Sequence, residues 1–169
     1  MGTDVISNYL VEYAQLVPVL FLMLLAGCVL LGTILLRAGE RGRRVLNGLT
    51  WLAVLAVIPL TLLPGGLRRS DVFCTVQFAW PAWGAVETLA NIALLLPAVF
   101  FLTLRVRRPM LIVLFASACS VGIELIQAFL PALGRACDTT DWEMNTIGAV
   151  IGALLAVFTL ALNRHKTSS

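Results

Sequence analysis

Most of the residues able to do chemistry are gathered in one stretch of an otherwise apolar chain. Glu124 and Gln127 interrupt an apolar run, Arg135, Asp138 and Asp141 occupy the short connection after it, and Asn145 lies inside the next run. Glu87 and Asn91 open an earlier run with the same four-residue spacing as Asp141 and Asn145. An ionised side chain near the middle of a membrane helix costs about 2.5–3.5 kcal/mol on insertion scales. Polar groups kept there are therefore paired, functional or both. Two kinds of work are open to the set. Glu124, Asp138 and Asp141 are the carboxylates that would serve as general acid and base if the protein is an enzyme. Glu87, Asn91, Gln127, Arg135 and Asn145 are the groups that would bind a polar substrate, with Arg135 able to clamp a phosphate or carboxylate in two parallel hydrogen bonds.

Several of these residues also have a plainer role. Glu124 and Arg135 can hold one another as an ion pair, Arg135 can neutralise the aspartates beside it, Asp141 can cap a helix ahead of Trp142 and Glu143, and the asparagines can join helices by hydrogen bonds. A metal is not expected: two carboxylates three residues apart match no calcium-loop pattern, and no CxxC or Cys/His pairing suggests zinc. No cofactor motif is present, and neither a P-loop, an HExxH segment nor a nucleophile elbow supports a familiar enzyme class. Nor is there a basic helix or aromatic ribbon of the kind that binds nucleic acid. The lone His165 sits in the polar tail and is assigned no chemistry.

The elements that must position these groups follow from composition. Of 169 residues, 60% are hydrophobic and 12% charged, with a mean hydropathy of +0.96. A soluble domain is about 45–50% apolar and about 25% charged, so the chain reads as one integral membrane domain, residues 1–169, of the all-α class. Five apolar segments, at about 14–36, 45–63, 86–104, 110–131 and 143–162, are each near the roughly 20 residues that cross the hydrocarbon as a helix. They lack the period-two alternation of barrel strands. Pro18, Pro59 and Pro97 are expected to kink three of them. The first run does not resemble a cleavable signal, because no Lys or Arg precedes it and it is too long.

Arginines set the expected orientation. Arg37, Arg41, Arg43 and Arg44, then Arg105, Arg107 and Arg108, then Arg164 and Lys166 fall on one side, against Arg68, Arg69 and Arg135 on the other. The positive-inside rule puts the N-terminus outside and the C-terminus in the cytoplasm. Tyr9, Tyr13, Trp80, Trp83 and Trp142 then lie at outer span ends, where amphipathic rings favour the headgroup zone. The outer segment 65–85, with Phe73, Phe78, Trp80 and Trp83, is too apolar for a free loop; it either lies on the interface as a lid or forms a partly ordered loop over the bundle. Cys74 and Cys137 both fall in outer connections, where a disulfide between them would pin this segment over the polar groups. Cys28 and Cys119 lie in apolar runs, out of reach.

Helical spacing brings the groups together. At 100° per residue, Asp141, Asn145, Gly148 and Gly152 fall within about 60° of one another, so one helix presents an acid, an amide and then a glycine groove for close packing. Counting inward from Met110, Glu124 lies about 21 Å deep and Gln127 about 26 Å, level with Asn91 and Asn145 entering from the other face. One outward-opening polar cavity holding Glu87, Asn91, Glu124, Gln127, Arg135, Asp138, Asp141 and Asn145 is therefore expected.

The pattern N-x(5)-P at 91–97, E-x(2)-Q at 124–127 and R-x(2)-D-x(2)-D-x(3)-N-x(2)-G-x(3)-G from Arg135 to Gly152 resembles the VanZ-like membrane protein family, over about residues 85–160. Family members commonly place a Pro-Gly-like turn after the Asn segment, whereas Pro97 is followed here by Ala98. The resemblance implies a small multi-pass protein of the bacterial plasma membrane serving the cell envelope, in a family whose name member is associated with low-level resistance to the glycopeptide antibiotic teicoplanin. Three function classes stand. The first binds or processes the headgroup of a membrane lipid or lipid-linked glycan intermediate, or a related antibiotic, in the cavity. The second is an intramembrane enzyme with paired carboxylates. The third is a proton-coupled carrier or accessory subunit using Glu124, although five spans show no internal repeat of the kind carriers use.

Overall fold

The computed structural model describes residues 14–62, 74–134 and 137–165. Expectations for Tyr9, Tyr13, Arg68, Arg69, Phe73, Arg135 and Lys166 lie outside the described residues. The chain forms helices α1 (Val17–Arg37), α2 (Gly39–Leu62), α3 (Val86–Val106), α4 (Pro109–Phe129) and α5 (Thr139–His165), with a parallel pair of two-residue strands, β1 (Cys74–Thr75) and β2 (Cys137–Asp138). All five helices are long and apolar enough to cross a membrane, and the architecture is all-α, as the composition requires.

Burial decides which helix is central. Leu96, Phe100, Phe101 and Leu104 of α3 pack against Cys28 and Leu35 of α1, Leu46 of α2 and Ala156 of α5. Leu95 and Val99, on another face of α3, pack against Ile112 and Ala116 of α4 and Ala149 and Ala153 of α5. Helix α3 thus belongs to both halves of the core, and α5 lies along it. By contrast, α1, α2 and α4 leave rows of large apolar side chains uncovered, including Leu22, Leu30, Leu52, Leu55, Leu114 and Phe115. In water such a surface would be an aggregation site; against lipid it is the expected outer face of a bundle.

Glycines let α5 approach α3. A Cβ on Gly148 would lie 2.0 Å from the Ile92 carbonyl oxygen, and one on Gly152 would lie 2.5 Å from that of Leu96. No side chain fits at either distance. Pro59 and Pro97 do lie inside helices, but Pro18 stands in the first turn of α1. A helix has no use for the N–H of a residue there, so Pro18 begins α1 and does not kink it.

Candidate functional site

The site is assembled at the end of the bundle where α2 and α4 terminate and α3 and α5 begin. Asp138 is the residue that starts α5: its Oδ1 accepts the Thr140 backbone N–H at 2.8 Å, satisfying one of the unpaired donors of the first turn. The cap is thus Asp138, not Asp141. Asp141, already inside the helix, accepts a hydrogen bond from Asn91 Nδ2 of α3. One turn further along α5, Asn145 Nδ2 donates to Ser120 Oγ of α4 at 3.0 Å. Glu124, one turn beyond Ser120, accepts the Asp138 backbone N–H on Oε2 at 2.9 Å, which ties the start of α5 to α4.

Gln127 reaches the last turn of α2, donating from Nε2 to the Thr61 carbonyl at 3.0 Å. The last four carbonyls of a helix lack partners of their own, so this amide closes α2 as well as binding it to α4. The Thr61 hydroxyl meanwhile donates back to the Val57 carbonyl at 2.8 Å.

These side chains surround a cavity of about 330 Å³, lined by Asn91, Glu124, Gln127, Asp141 and Asn145 together with Thr61 and apolar residues of α2, α3 and α4. Asn145 is 2% exposed, and its Oδ1 has no hydrogen-bond partner among the described residues. A second cavity of about 230 Å³ adjoins Glu124 from the other side and is walled by Val121, Leu125, Trp142 and the cysteines Cys74 and Cys137. Glu124 therefore stands between a polar chamber and an apolar one.

Two of the expected members lie elsewhere. Glu87 is exposed in the first turn of α3, where a negative charge suits the helix dipole, and it lines neither chamber. Asp138 borders only the apolar chamber; its carboxylate is taken up by Thr140 and by Gln77 Nε2 at 3.1 Å. Any pairing of Glu124 with Arg135 lies outside the described residues. Spacing could have found two residues that were missed. Ser117 and Ser120 continue the Glu124 and Gln127 stripe at intervals of three and four, with Ser120 holding Asn145 and Ser117 Oγ accepting the Trp142 Nε1–H at 3.1 Å. Thr61 takes part through its backbone, which a sequence pattern does not mark.

The described part of the outer segment, 74–85, is a strap across the start of α5. Cys74 and Cys137 form a disulfide and are themselves register partners in the strand pair. Gln77 N donates to Thr139 Oγ1 at 2.8 Å, Ala79 N donates to Glu143 Oε2 at 3.3 Å, and the Phe78 ring meets Trp142 edge-on at 6.5 Å between centroids. Trp80 remains 93% exposed, an apolar tip directed away from the bundle. Thiol counting on denatured, unreduced protein is expected to find two free thiols, Cys28 and Cys119, and four after reduction. Four before reduction would contradict the bridge.

The profile of the VanZ/LLP1 family matches residues 19–161. The chain belongs to the VanZ/LLP1 family. That match takes in most or all of each of the five helices, so the VanZ-like unit includes α1 and α2 as well as the polar motifs of α3 to α5. No curated protein and no solved structure matches the chain. For this VanZ-family protein, the roles of individual residues therefore rest on their geometry.

Proposed function

We propose that this protein is a cell-envelope component of the bacterial plasma membrane that binds the polar headgroup of a lipid or lipid-linked glycan intermediate in the cavity between Glu124, Asp141 and Asn145. The same chemistry, hydroxyl and amide groups on a membrane-anchored ligand, gives it a route to glycopeptide resistance of the teicoplanin type. The observation that carries the reading is Asn145 Oδ1. A buried acceptor without a donor costs about 1–3 kcal/mol, and a ligand hydroxyl or amide in the adjoining cavity would supply that donor. Glu124 and Asp141 add acceptors for further hydroxyls, while the apolar chamber beyond Glu124 suits the hydrophobic portion of an amphiphile.

Native mass spectrometry of the protein released from its own membranes tests this directly. The wild type is expected to retain an adduct with the mass of a polar lipid or lipid-linked glycan. Asn145→Leu, at matched folded yield, should reduce that adduct about tenfold, as the loss of one or two buried hydrogen bonds implies. Bare protein from wild-type membranes would overturn the reading.

An enzymatic role is the second reading, favoured by Glu124 and Asp141 lining one cavity. It predicts that Glu124→Gln keeps its ligand and accumulates it unprocessed.

We further propose that the site opens outward, on the strength of the arginines at 37–44 and 105–108. Cysteines introduced at residues 40 and 107 should resist a membrane-impermeant thiol reagent in intact cells, whereas one at residue 80 should react. Labelling at residue 40 from outside would reverse the orientation.

A further inference from the structure

Another cavity lies at the opposite end of the bundle from the site, and the function proposed above makes no use of it. It measures about 410 Å³ and is lined by Arg43 and Asn47 of α2, Arg105 at the end of α3, and Arg107, over a floor of Leu35, Leu46 and Leu104. The floor is apolar and its leucines are buried, at 7%, 6% and 2% exposed. Three arginines thus line an apolar depression, and no acidic residue is among its described lining residues.

The convergence depends on a particular backbone choice. Positions 105 and 107 on a continuous helix would point about 200° apart. Helix α3 instead ends at Arg107 in the left-handed conformation, with φ 58°, and its N–H bonds back to the Thr103 carbonyl at 2.8 Å. Glycine is the usual residue at such a position, and a side chain there costs about 1–2 kcal/mol. With that turn, Arg105 and Arg107 line one cavity. On α2, Arg43 and Asn47 are four residues apart and share a face.

The arginines also have donors to spare. Among the described residues, Arg105 and Arg107 make no side-chain hydrogen bond or ion pair, and Arg43 is engaged only through Nη2, by Glu40 at 2.8 Å. That pair is well exposed and so contributes little of its own. Arg37, by contrast, is committed to Asn163 Oδ1 at 2.9 Å and does not line the cavity.

We propose that this cavity binds a phosphate group, gripped by Arg43, Arg105 and Arg107, with any attached apolar chain lying on the Leu35, Leu46 and Leu104 floor. Planar guanidinium groups match phosphate oxygens in pairs of hydrogen bonds, which a scattered positive surface does not. Two sources carry that chemistry, an anionic phospholipid of the adjoining leaflet and a free phosphate. The leucine floor favours the lipid.

The full-length protein, delipidated in detergent, is titrated with phosphatidylglycerol, with phosphatidylcholine and with inorganic phosphate, and bound adducts are read by native mass spectrometry. Phosphatidylglycerol is expected to bind at least tenfold more tightly than phosphatidylcholine. The double variant Arg105→Gln/Arg107→Gln should lose at least tenfold of that affinity, whereas Arg44→Gln/Arg108→Gln, which removes the same charge from outside the cavity, should change it less than threefold. Asn47→Phe retains every arginine and fills the depression, so it too should weaken the lipid; it also serves if the double variant folds poorly. Displacement of the lipid by millimolar inorganic phosphate would assign the site to the free ion, and failure of displacement would assign it to the lipid. Equal losses in the two double variants, or an unaffected Asn47→Phe, would reduce the cavity to a generally basic surface and overturn the proposal, as would equal binding of the two phospholipids.

Discussion

Gly148→Leu is expected to leave almost no folded protein in the membrane. Even a single Cβ at this position would sit 2.0 Å from the Ile92 carbonyl oxygen, and that atom belongs to helix backbone that cannot swing aside. Relief requires α3 and α5 to separate, which uncovers the packing of Ala149 and Ala153 against Leu95 and Val99. Overpacking of a core costs about 1–3 kcal/mol where side chains can give; here the contact is backbone on both sides, so about 3 kcal/mol is the lower end for leucine. Gly148→Ala should already reduce folded yield several-fold. Gly152→Ala, with 2.5 Å to the Leu96 carbonyl, should follow the same course less severely. Gly27→Ala and Gly122→Ala meet nothing within 4 Å, and the gain in helix propensity, about 1 kcal/mol, should leave their yield unchanged or higher. Size-exclusion profiles of detergent extracts, at matched synthesis, measure all five. Normal yield for Gly148→Leu would mean that α3 and α5 are not packed as described.

The difference between these glycines illustrates what a single sequence can and cannot convey. Gly148 and Gly152 were legible because their spacing places them on the same face of α5 as Asp141 and Asn145, a face that has to meet another helix. The joint depth of Asn91, Glu124, Gln127 and Asn145 was legible for a similar reason: helical rise is constant, so a position in the sequence becomes a level in the bilayer. Rotation about each helix axis was not. Glu87 and Asn91 share a stripe, yet the stripe turns through enough of an arc that only Asn91 lines the cavity while Glu87 remains exposed. Which aspartate begins α5 was equally hidden. Asp141 precedes Glu143 and Met144, better helix formers than the Thr139 and Thr140 that follow Asp138, yet tertiary contacts chose Asp138, namely the strand pair at Cys137 and the acceptor that Glu124 offers to the Asp138 N–H. Thr61 contributes a carbonyl, a group every residue has, so only the ending of α2 next to Gln127 reveals it.

That reassignment of the two aspartates separates variants that the sequence treated alike. Glu124→Gln and Asp141→Asn are each expected to fold near normally and to lose ligand retention about tenfold or more, whereas Asp138→Asn should retain it. The geometry favours folding in all three. A glutamine carbonyl at 124 still accepts the Asp138 N–H, an asparagine at 141 still accepts from Asn91 Nδ2, and asparagine caps a helix about as well as aspartate. What changes is the set of groups at the cavity wall, where an amide NH2 replaces one carboxyl oxygen. Glu124 and Asp141 line the polar chamber, where each amide variant has one oxygen acceptor fewer to offer a ligand hydroxyl. Asp138 faces away from it, its oxygens already held by Thr140 and Gln77. Adduct intensity in native mass spectra, compared at equal folded protein, reads the three side by side. Equal loss in all three would point to a general effect of charge at this end of the bundle. Full retention in Glu124→Gln and Asp141→Asn, with the envelope phenotype intact, would leave the two carboxyl groups as ties between helices that the bound ligand does not need. Retention in Glu124→Gln with loss of the envelope phenotype would move Glu124 from binding to catalysis, because a group needed after the ligand has bound can be neutralised without releasing it.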